Sequence, residues 1–176
     1  MKPDIFMDDF ERTAWGDAYY AAIGRVLTFA TRFEAHCRTL NTILGFKKNR
    51  GILDSINGIH AFVKRLHKVK LAKHISSIAA NDKELKDILD KARSGRNEIA
   101  HELTLGLDRC IDRYSETYIK KLVKRLQQVI RSLALADRIV SLTLSIETNE
   151  CVPNEGFLAE YPELVEKWAT EMEEIE

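Results

Sequence analysis

The sequence predicts an all-α fold, an antiparallel bundle of four to five helices. Three observations support this. Apolar residues recur every three or four positions along nearly the whole chain. Gly and Pro are sparse, eight and three in 176 residues, which argues against a turn-rich β-sandwich. The chain is 45% apolar and 31% charged, which supports one packed core and is not the composition of a disordered segment.

The first helix is expected from about Asp9 to Leu44. Asp8 and Glu11 have capping-box spacing. Ala22, Val26, Ala30, Phe33, Cys37, Leu40 and Leu44 form its apolar stripe, and Gly45 in GFKKNRG should end it. A second helix carries Ile52, Ile56, Ile59, Val63 and Leu66 on one stripe; Lys64, Arg65 and Lys68 fall off it and should face outward. The stripe loses register near His67, and a further helical piece continues through Ile75 and Ile78. Asn81 with Glu84 should cap a third helix built on Leu85, Ile88, Leu89 and Ala92. A loop around Gly106 leads to a long fourth helix from near Ser115, with Leu122, Leu126, Val129, Leu133 and Ala136 buried. Val140 to Ile146 alternates like a strand. A lone strand has no partner here, so it reads as the end of the fourth helix. Asn149 to Gly156 should be a loop, with Pro162 at the first position of a short acidic helix. The division expected is residues 1–148 as the bundle and 149–176 as a loop plus an acidic helix packed on it or extending from it.

Charge is balanced at 27 basic and 27 acidic residues, so no global excess advertises nucleic acid or an anionic membrane. The distribution is uneven. Between Lys47 and Lys73 lie eight basic residues and one acid, Asp54, while from Glu150 onward there are nine Glu and one Lys. A polarity of this kind reads as solvated faces of opposite sign or as a basic strip that meets phosphate. Its longest uncharged stretch, Ser55 to Val63, contains a His and is far short of the roughly 18 apolar residues of a membrane span. The acidic start lacks a signal-peptide core, so a cytoplasmic protein with no membrane partner is expected. Cys37, Cys110 and Cys151 are widely spaced without a CxxC pair, which reads as reduced thiols. No metal or cofactor motif is present, and none is expected to be used.

One segment carries chemistry, Ala92 to Glu102, ARSGRNEIAHE. On a straight helix Arg96 falls in the middle of the stripe of Leu85, Leu89, Ala92, Ile99 and Leu103, and His101 lies nearly opposite. A core-facing Arg is costly unless it is paired or opens onto water. Gly95 directly before it costs the helix about 1 kcal/mol relative to Ala. Two local rules broken side by side point to a functional site, or to an Arg that bridges helices and a Gly that lets them cross closely.

Arg96-Asn97-Glu98-Ile99-Ala100-His101 resembles the R-x4-6-H signature of HEPN domains, with the polar residue after the Arg that this superfamily favours. The resemblance implies a compact bundle of four to five helices and, in the active branch, a metal-independent endoribonuclease of toxin–antitoxin or antiviral systems. On that reading His101 moves protons in attack by the RNA 2′-OH, and Arg96 stabilises charge on the phosphoryl oxygens. Asn97 orients His101 or the phosphate, and Arg93 holds the RNA backbone together with Lys64, Arg65 and Lys68. One motif histidine per chain implies a homodimer that apposes two motifs. An antitoxin or other protein partner is also implied. In the branch whose motif continues H-x-Tyr, that Tyr is a nucleotidyltransferase target; Leu103 stands there in this chain. Other HEPN domains are non-catalytic modules that bind a nucleotide or a protein. The third reading is a structural bundle in which Arg96 and His101 point apart and Arg96 makes an internal salt bridge.

Overall fold

A computed structural model describes residues 14–103 and 114–171, and every regular element among them is helical. In chain order these are α1 (Ala14–Lys48), a 3-10 turn (Arg50–Asp54), α2 (Ile56–His67), α3 (Leu71–Ile78), α4 (Lys83–His101), α5 (Glu116–Thr148) and α6 (Glu155–Thr170). The capping pair Asp8 and Glu11, the Gly106 loop and Cys110 lie outside the described residues. None of the described helices is long and apolar enough to cross a membrane.

The long helices form where the apolar period is most regular. Ala22, Val26, Ala30, Phe33, Cys37 and Leu40 of α1 are buried, and so are Leu126, Val129, Leu133 and Ala136 of α5. Together with Leu89, Ala92, Ile99 and Leu103 they make one core, joined by Val165 and Ala169 of α6. Polar pairings give the directions. Arg32 meets Asp137, His36 meets Ser141 and Lys47 meets Glu147, so α1 and α5 run the same way. Gly95 faces Val129 while Glu98 meets Arg125, and Tyr161 meets Asp137 while Glu166 meets Arg131, so α5 runs opposite to α4 and to α6.

Local boundaries depart from expectation in four places. First, α1 continues through Gly45 to Lys48. Gly45 is a close-approach residue here and not a terminator: a Cβ on it would lie 2.4 Å from the Phe62 ring. Second, Ile52 falls in the 3-10 turn and Ile56 is 72% exposed. The buried side chain of α2 is Phe62, whose ring lies 5.1 Å from that of Phe46. Lys64, Arg65 and Lys68 do face solvent. Third, the cap of α4 is Asp82, one residue past Asn81, and its carboxylate accepts from the Leu85 N–H at 2.9 Å.

The fourth departure is α6. It starts at Glu155, where Asn154 caps the Phe157 N–H at 2.8 Å, so Pro162 lies inside the helix and not at its start. A Pro there has no N–H for the Leu158 carbonyl, four residues back. Arg138 of α5 donates to that carbonyl at 2.8 Å instead, which supplies the missing bond. Val140 to Ile146 is helical, within α5, and Asn149 ends that helix in the left-handed conformation at φ 56°.

Candidate functional site

Arg96 projects from α4 toward α1 and is about a third exposed. Its Nη2 donates to Glu34 Oε2 at 3.2 Å and its Nη1 to Asn97 Oδ1 at 3.3 Å. Glu34 Oε1 in turn accepts from Arg38 Nη2 at 3.4 Å, one turn along α1. Glu34, Lys70, Leu71, Ala72, Arg93, Arg96 and Asn97 line an open cleft of about 300 Å³ between α1, α3 and α4. Arg93 Nε is held by Asp90 at 2.9 Å, so this second guanidinium is oriented by its own helix.

Placing an arginine on the apolar stripe is tolerable here because both conditions for it are met: the guanidinium is paired, and it opens onto the cleft. Gly95 has a separate duty on the other side of α4. A Cβ there would lie 2.9 Å from Val129 Cγ1, so the missing side chain lets α4 and α5 cross closely.

Lys70 joins the cleft to the basic segment. It is the N-cap residue of α3 and lines the cleft. Lys64, Arg65 and Lys68 precede it on the same exposed run and form no ion pair among the described residues. Arg65 sets its guanidinium over the Phe62 ring, Cζ 5.2 Å from the centroid, a cation–π contact at an exposed position. Among the described residues, α6 forms no ion pair with this strip. Its Glu166 is engaged by Arg131 of α5.

His101 stands apart. It is the exposed last residue of α4, does not line the cleft, and bonds neither Asn97 nor Arg96. Five residues of helix turn it about 140° from Arg96. Asn97 is the intermediate position, in the cleft beside Arg96 and one turn before His101. The cleft therefore brings together Arg93, Arg96 and Asn97; Lys64, Arg65 and Lys68 are exposed but do not line it. It does not bring His101 to Arg96 within one chain. Chemically it can hold an anion: it carries three cations and an amide against one carboxylate.

Sequence reasoning missed Glu34 and Arg38 and gave Lys70 no role in the site. Glu34 and Arg38 had a signal, an acid and a base four residues apart flanking the buried Phe33 and Cys37. Nothing local said which distant residue they would meet. No family model, no curated protein and no solved structure matches the chain.

Proposed function

We propose that the cleft between α1, α3 and α4 binds nucleic-acid phosphate, and that the chain is a metal-independent endoribonuclease of the HEPN type working as a homodimer. The observation that carries this reading is the meeting at Lys70. Lys70 of the basic segment and Arg96 and Asn97 of the motif, far apart in sequence, line one open cleft. On this reading Arg96 and Lys70 bind the scissile phosphate and the Arg96 charge grows in value as the phosphoryl oxygens gain charge. Asn97 holds the guanidinium from the side. His101 takes the 2′-OH proton or gives one to the leaving 5′-oxygen. Because His101 faces away from its own Arg96, the second copy must supply the histidine, which makes the dimer a requirement of the chemistry. A toxin or phage-defence role fits an RNase of this kind.

The test is RNA cleavage in the presence of chelator, with the oligomeric state measured by sedimentation. Wild type should be a dimer and leave 2′,3′-cyclic phosphate ends. His101→Ala should keep the fold and lose roughly 10²–10⁴-fold in rate. Equal cleavage by His101→Ala removes His101 from the site. No cleavage by the dimer favours a second reading, a non-catalytic HEPN-like module that binds a nucleotide or a protein. The Arg96–Glu34 ion pair and the separate placement of His101 favour the third reading, a structural bundle in which the motif spacing carries no chemistry.

A further inference from the structure

The cleft contains its own anion. Glu34 reaches into it from α1 with its two oxygens on two different guanidiniums, Oε2 on Arg96 at 3.2 Å and Oε1 on Arg38 at 3.4 Å. A carboxylate and a phosphate offer a guanidinium the same kind of acceptor. Arg96 therefore has one terminal nitrogen on Asn97 and the other on Glu34, and Arg93 is occupied by Asp90. Of the cleft's cations, Lys70 makes no ion pair among the described residues.

We propose that Glu34 is a built-in competitor for the phosphate. Its carboxylate occupies the position on Arg96 that an RNA phosphate takes, so binding requires Arg96 to pass from Glu34 to the ligand. This rests on the reading of the cleft as a phosphate site and assigns that site its regulation. Glu34 is suited to letting go. Its second partner, Arg38, is on the same helix at i+4 and stays with it after the exchange, so no half-buried carboxylate is stranded. Arg96 and Glu34 keep 35% and 25% of their side-chain surface in contact with solvent, so water can bridge the exchange. Two consequences follow from the charge count. RNA affinity is lower than three cations would give, and Arg96 contributes little to counterion release in the resting protein.

The experiment compares the full-length wild type with Glu34→Gln, using a labelled single-stranded oligouridine and, separately, inorganic pyrophosphate. Glu34→Gln should bind the RNA roughly three- to tenfold more tightly at moderate salt, the scale of one partly exposed ion pair. Its slope of log K against log salt should steepen by up to about 0.7. In an Arg96→Ala background the same substitution should change nothing, because the competition acts through Arg96. Equal or weaker binding by Glu34→Gln overturns the proposal and makes Glu34 a support for Arg96. Tightening that persists without Arg96 also overturns it. If RNA is not bound but pyrophosphate is, and more tightly by the variant, the competitor stands and the RNA reading falls. No binding of either probe by either protein overturns both. Should Glu34→Gln fail to fold, the wild type still decides. The Glu34 carboxyl carbon resonance must shift on saturation with pyrophosphate, and an unmoved resonance sinks the proposal.

Discussion

Helix α1 carries two charged networks on opposite faces within eight residues, and they are built on different terms. On one face Arg32 and His36 reach Asp137 of α5, whose carboxylate is fully buried. Asp137 accepts from His36 Nδ1 at 3.0 Å and from Tyr161 Oη at 2.6 Å, with Ser141 Oγ and Arg32 Nη2 each at 3.5 Å. Burial, followed by the bond to Asp137, pushes the Tyr161 phenol well above its usual range. On the other face Glu34 meets Arg38 and Arg96 at the wall of an open cleft, with one partner per oxygen. A dry carboxylate saturated by four groups ties α1, α5 and α6 into one geometry. A half-wet carboxylate with two guanidiniums can exchange one of them. The difference separates a structural ion cluster from a site that can take a ligand, although the residue types are nearly the same.

The comparison breaks most visibly at Asp137. Asp137→Ala should cost on the order of 1–3 kcal/mol, because it leaves the Tyr161 hydroxyl and His36 without their acceptor while the half-exposed Arg32 turns to water. It should leave RNA affinity of the residual folded protein alone; urea denaturation with a binding titration checks both. Arg96→Ala should show the reverse. Its ion pair is partly exposed, so the loss should stay below about 1 kcal/mol, while oligonucleotide binding falls. A stability loss as large as that of Asp137→Ala would return Arg96 to a purely structural role.

The smallest expected effect is an acid sensitivity at His74, beside Arg38 of the Glu34 network. His74 of α3 is buried, and Asn41 Nδ2 donates to its Nδ1 at 3.0 Å. The amide nitrogen of Asn only donates, so the ring is neutral with its proton on Nε2. Burial, and then the charge of Arg38, lower its pKa from the ordinary imidazole value of 6.5. The unfolded chain therefore binds this proton more readily than the folded one. Stability must fall as pH drops below about 6.5 through the folded value. His74→Gln should flatten that part of the urea-midpoint profile against pH, and an unchanged slope would assign it elsewhere.

Much of this was legible locally. The period of α1, α4 and α5 gave their buried faces because a stripe reports only that one side meets a core. Arg96 on the stripe and Gly95 beside it also marked the right helix, since each breaks a rule of its own element. What the chain could not show by itself was which partners would answer those breaks. Glu34 lies 62 residues from Arg96, and Val129 reaches Gly95 from another helix. Pro162 looked like a helix start because the Arg138 that supplies its missing hydrogen bond comes from α5. Gly45 looked like a stop because Phe62 had not yet been folded against it. Local pattern determines which face of a helix turns inward. The tertiary structure decides which groups meet there, because ion pairs, close crossings and substitute hydrogen bonds depend on atoms brought within a few ångströms by packing.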